Sequence, residues 1–161
     1  MARPQEFWPF ATDLYGRPGV AQACLWLQDN AGLDVVMVLF CCWLGRSRGA
    51  VEPEGFAALL DGARQWSAGL VTPLRQGRRW YREQTVATFD GACYNQLKAA
   101  ELAAERAQMA WLETCASGAL RFAAGPGAHA SAANCALYLT LAELALDQEG
   151  RRRLAGIIEQ S

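Results

Sequence analysis

The sequence predicts an all-α fold: a single-domain bundle of about six to seven helices, with one fully buried apolar helix and a long helix in the second half. Three observations carry that expectation. Gly and Pro cut the chain into pieces of helical length. Within the pieces, apolar residues recur at three- and four-residue steps instead of alternating. The most apolar run, "VVMVLFCCWL" from Val35 to Leu44, has no second strand-like segment to pair with. A chain of 161 residues fits one helical domain over 1–161, long enough to bury a core.

The elements follow in order. "FWPFATDLYG" reads as a short helix ended by Gly16, and a second helix starts at Pro18, suited to a first helical turn, and stops near Gly32. Asp34 stands where an N-cap belongs, ahead of the apolar run. As a helix that run spans about 15 Å, half a bilayer core, so it reads as a buried core helix and not a membrane span. Residues 53–69 place Phe56, Leu59, Leu60, Ala63 and Trp66 at helical spacing, and Gly69 interrupts. Pro73 restarts or kinks a helix over about 70–82, and a long helix covers about 87–116. "GPGAHASAAN" reads as a loop, with Ser131 capping a helix over about 132–147, and Gly150 separates a last helix ending near Ile158. No strand is expected.

Composition excludes several function classes. The formal net charge is −1 and the pI about 5.8, which argues against general nucleic-acid binding, because that needs a net basic face. The six cysteines, Cys24, Cys41, Cys42, Cys93, Cys115 and Cys135, sit among apolar neighbours, and "MARPQEFWPF" lacks the pattern of a secretory signal. They read as reduced core residues of a cytoplasmic protein. With no CxxC and a single histidine, His129, the sequence offers no zinc site, and no metal or other cofactor is expected. "GPGAH" lacks the Lys-Ser/Thr of a phosphate-binding loop, and His129 with Ser131 lacks a nucleophile elbow and a nameable acid partner. No catalytic residue is assigned. Arg151–Arg153 read as a solvated face, the alternative being a contact to RNA or an acidic partner.

The segment "EFWPFATDLYGRPGVAQACLWLQDNAGLDVVMVLFCCWLG", followed by "VTPLRQGRRW" and "KAAELAAER", resembles an uncharacterised family of short proteobacterial proteins catalogued only as a domain of unknown function. The likeness rests on FW-x-F, PGV-x-x-ACL-x-LQD, LFC-x-WL, PLR-x-x-RR and EL-x-AER, covers most of residues 7–106, and implies an all-α fold in a bacterial cytoplasm, with no known activity or catalytic residue.

The chemistry-bearing constellation is "PLRQGRRWYR". Val71, Arg75, Arg78, Arg79 and Arg82 share one face of their helix at 100° per residue. On the long helix, Lys98, Glu101 and Glu105 share a stripe with Tyr94, Leu97, Met109 and Leu112, where a packing seam belongs. A short connection makes the two helices antiparallel neighbours. Two readings follow. Arg75, Arg79, Lys98, Glu101 and Glu105 form an internal ion-pair network, which the offsets favour. Alternatively Arg75, Arg78, Arg79 and Arg82 form an anion or partner site, since guanidinium forks match phosphate and carboxylate. A mixed case keeps Arg75 and Arg79 internal and leaves Arg78 and Arg82 free. Trp80 and Tyr81 flank the arginines and either form an interaction hot spot with them or pack under the long helix. The function expected is that of a non-catalytic cytoplasmic interaction or adaptor protein whose partner is another protein, the alternative being an enzyme or binding protein for an anionic small molecule.

Overall fold

The computed structural model describes residues 6–84 and 91–161. The elements are α1 (Phe7–Tyr15), α2 (Val20–Ala31), α3 (Val35–Ser47), β1 (Ala50–Val51), α4 (Pro53–Trp66), α5 (Thr72–Glu83), α6 (Gly91–Ala119), β2 (Phe122–Ala124), α7 (Ala128–Leu141) and α8 (Gln148–Gln160). A π-helical turn, Ser67–Val71, joins α4 to α5 without a break, so the described residues form seven helical rods. The fold is an all-α bundle.

The core is built on α3, whose residues 36–45 are all buried. Asp34 starts it: its Oδ1 accepts a hydrogen bond from the Val36 N–H at 2.9 Å, satisfying a donor that has no partner within the helix. A helix apolar on every face needs neighbours on every face, and α3 packs on α7, α1, α2 and α6. Phe7, Phe40 and Trp43 form an aromatic cluster with ring centroids 5.3–5.7 Å apart. The α3–α7 crossing is close because Gly45 has no side chain: a Cβ there would lie 2.2 Å from the Ser131 backbone nitrogen.

Several boundaries differ from those the sequence suggests. Pro18 does not open α2; the chain turns through Gly19 at φ +79°, a left-handed conformation that suits glycine, and the helix starts at Val20. Gly69 does not interrupt the chain, because the helix widens into the π turn and runs on. That wider turn lies directly before Pro73, whose ring would crowd a carbonyl in a regular helix. The helix expected from about 87 is described from Gly91 and ends at Ala119; positions 87–90 lie outside the described residues. The "GPGAHASAAN" loop ends early: α7 begins at Ala128, which puts exposed His129 on its first turn. Ser131 is not a cap. It is buried, and its hydroxyl donates to the Cys42 carbonyl at 3.1 Å. Gly150 is not a separator either. It lies in the first turn of α8, its N–H donating to Oδ1 of Asp147, the actual N-cap, at 2.7 Å.

Two short strands were not expected. β1 and β2 pair antiparallel, with Val51 opposite Phe122. Buried Asn134 holds β1 in place: its Oδ1 accepts from the Val51 N–H at 2.9 Å, and its amide donates to the Cys41 and Gly49 carbonyls. A two-residue strand is too short to leave an alternating pattern. Of the cysteines, Cys24, Cys41, Cys42 and Cys135 are buried and Cys115 half-buried, but Cys93 is exposed and is not a core residue.

Candidate functional site

The arginine-bearing helix α5 pairs with α6 as an antiparallel hairpin, since partners descend along α6 as residues ascend along α5. Its base lies on the body of the protein; its distal part does not. No residue of α5 is buried, and none of residues 91–100 of α6. Burial on α6 starts at Glu101 and continues through Ala104, Gln108, Met109 and Leu112.

At the base sits the ion network. Arg75 Nε donates to Glu101 Oε1 at 2.9 Å, and Arg75 Nη2 to Glu105 Oε1 at 2.9 Å. Arg78 Nε donates to Glu101 Oε2 at 2.5 Å. The side chains of Arg75, Arg78 and Glu101 keep only 19%, 18% and 10% of their surface in water, which separates this cluster from ordinary surface pairs. Burial pushes the Glu101 carboxyl up, but the hydrogen bonds from Arg78 and Arg75 pull it further down, and the net shift is below the ordinary value. The hydrogen bond to Glu101 raises Arg78 in turn. Glu105 moves the other way: burial raises it, the Arg75 charge only partly compensates, and the Glu101 charge adds to the rise.

Three of the expected placements are corrected. Arg79 does not reach Glu101 or Glu105; its Nη2 donates to Asp29 of α2 at 2.9 Å, with both side chains about half exposed. On the wheel Arg79 lies at the edge of the inward face, toward α2. Arg78 is internal, so the division with Arg75 and Arg79 inside and Arg78 free does not hold. Lys98 is exposed and takes no part in the network among the described residues, because at its level α6 has left the core. Arg82 is exposed, with no ion-pair partner among the described residues. Trp80 is 64% exposed beside it, and Tyr81 is half-buried. His129 is exposed and away from the hairpin's charged seam, and among the described residues no group of three or more His, Cys, Asp and Glu is placed to hold a metal ion. Arg151–Arg153 are also engaged: Arg152 and Arg153 pair with Glu149, Arg153 lies 5.0 Å over the Trp26 ring, and Arg151 donates to the Leu146 carbonyl.

A second feature was missed. A groove of about 500 Å³ opens beside the π turn, between the α2–α3 turn, the end of α4, the start of α5 and the end of α7. Gln28, Asp34, Arg64, Ser67, Thr72, Arg75 and Tyr138 supply its polar lining. Asp34 is held from three sides. Besides capping α3, its Oδ2 accepts from the Ser67 hydroxyl at 2.6 Å, and its backbone N–H donates to the Tyr138 oxygen at 2.9 Å. Residues from four separate elements leave no local spacing to read; the π turn, a feature frequent at functional sites, is the nearest signal, and Gly69 followed by Pro73 marks it.

The fold and these features define a small all-helical protein with a half-buried Arg–Glu seam under a projecting hairpin. The family model described as "Protein of unknown function (DUF2390)" matches residues 6–112, two thirds of the chain, and the protein belongs to that family. No curated protein and no solved structure matches it. No helix among the described residues is long and apolar enough to cross a membrane.

Proposed function

We propose that this chain is a non-catalytic interaction protein of the bacterial cytoplasm, its cysteines reduced, and that another protein docks on the outer face of the α5–α6 hairpin. The observation that carries this reading is Trp80, a large aromatic side chain held 64% in water on a helix with no fully buried residue. Trp is among the residues that dominate the energetics of protein interfaces. The anionic small-molecule alternative needs open guanidinia. Arg75, Arg78 and Arg79 each already hold a carboxylate, which leaves Arg82 alone and weakens that reading. The near-neutral charge likewise disfavours nucleic acid.

The test is affinity capture from the native cell with the wild-type chain and a Trp80→Ala variant in parallel, followed by titration of the purified partner. A protein retained by the wild type and bound at least about tenfold more weakly by Trp80→Ala supports the reading. The variant should unfold within about 0.5 kcal/mol of the wild type, as surface changes do. Equal binding by the variant, or capture of small anions only, overturns it.

A further inference from the structure

The groove beside the π turn is a separate matter from the hairpin face. Its volume of about 500 Å³ lies within the range of small-molecule sites. Leu33, Met37, Leu60 and Leu144 make its walls largely apolar. One buried polar group in it is incompletely satisfied. Tyr138 is 4% exposed; its oxygen accepts from the Asp34 N–H, and its own proton has no acceptor among the described residues. The hydroxyl has accepted one hydrogen bond and keeps its own proton to donate to a group in the groove. Arg75 adds a second donor, because Glu101 and Glu105 occupy its Nε and Nη2 and leave Nη1.

Charge then selects the kind of ligand. Arg75 and Arg78 are balanced by Glu101 and Glu105. Arg64 lies 3.5 Å from Asp61, and its Nη2 donates to the Leu141 carbonyl. Asp34 has only neutral donors on its oxygens and caps the positive N-terminal end of α3, and its carboxylate disfavours an anion in the groove. The guanidinia of Arg64 and Arg75 on the same walls disfavour a cation. What remains is a neutral head that both accepts and donates. The Asp34 carboxylate is an acceptor and the Tyr138 hydroxyl a donor, and a 2.9 Å hydrogen bond ties the two residues together.

We propose that this groove binds a small neutral amphipath with an apolar body and an amide head, the carbonyl accepting from the Tyr138 hydroxyl and the N–H donating to Asp34. The test titrates isotope-labelled protein with hexanamide, hexanoate and hexylammonium and follows backbone amide shifts. Hexanamide should shift Gly32, Ser67, Ala68 and Ala142 saturably, and the two charged probes should bind about tenfold more weakly or worse, a difference of roughly one hydrogen bond and an unfavourable charge. Ala68→Trp, at an exposed lining position, should fill the mouth and abolish the shifts while the fold persists. Tyr138→Phe should weaken hexanamide by about tenfold. Absence of saturable hexanamide binding, equal or tighter binding of either charged probe, or undiminished binding by Ala68→Trp overturns the proposal.

Discussion

Replacing Glu101 with Ala removes the carboxylate that Arg75 and Arg78 share. Arg78 loses its carboxylate partner, and Arg75 keeps only Glu105. Deleting one member of a buried ion pair costs about 3–5 kcal/mol, because the remaining charge is stranded in a poor solvent. Here the stranded guanidinia retain 18–19% of their surface in water and one keeps a partner, so the low end applies, about 3 kcal/mol. For a domain of this size that lowers Tm by roughly 6–12 °C. Chemical denaturation of the wild type, Arg78→Ala, Glu101→Ala and the double variant then gives a coupling energy, expected at about 1–2 kcal/mol, since only contacting residues couple. The pH dependence supplies an independent sign. The Glu101 pKa is depressed in the folded state, so its contribution is present above its ordinary value of 4.5 and lost as the pH falls through the folded value. Glu105 is raised, so its contribution runs the other way: present at low pH and lost as the pH rises through its folded value. The Glu101→Ala protein should therefore lose less stability on acidification below pH 4.5 than the wild type. A coupling below about 0.5 kcal/mol together with a destabilisation below about 1 kcal/mol would refute the reasoning, since those are the values of exposed, independent charges.

Leu39→Ala, in the middle of α3 at 3% exposure, should cost about 2–5 kcal/mol in urea unfolding, the price of a core cavity. Gly45→Ala should destabilise by about 3 kcal/mol or more in the same assay, because the new methyl meets the Ser131 backbone, which no rotamer change can move aside. Thiol titration of the denatured, alkylation-protected protein should return all six cysteines as free thiols. In the native protein a maleimide should label exposed Cys93 first and leave Cys24 unreactive, its thiol being buried and its pKa pushed up to about 12.

The apolar run around Leu39 was legible because a ten-residue stretch without a charge admits few alternatives, and Asp34 announced its start in the sequence. The Arg–Glu seam was legible because both partners lie on regular helices that a short connection forces together, so offsets along each wheel translate directly into distance. Much of what failed depended on elements distant in the chain. Asp29 lies 50 residues from Arg79, on a helix whose approach to α5 nothing in the local pattern announces. Ser131 and Gly150 each stood where a cap or a stop is common, but burial against Cys42 and the stronger cap at Asp147 decided their roles. Lys98 satisfied the stripe on paper and missed the seam because a helical wheel does not record where the core ends.

The π turn also sets a phase. On a uniform wheel the inward residues of α4 (Phe56, Leu59, Leu60 and Ala63) and those at and after the end of the π turn (Val71, Arg75 and Arg78) are out of step by roughly 75°. The slower winding of Ser67–Val71 absorbs that difference, so one continuous rod keeps the inward residues of both segments on the same side, against α6. Arg75 belongs both to the wall of the groove and to the charged seam, and its angular position is inherited from that single turn. Rewinding the turn to a regular α-helix would rotate α5 about its own axis and carry Arg75 and Arg78 off Glu101 together. Groove and hairpin thus share one side chain, whose angle both inherit from the same five residues.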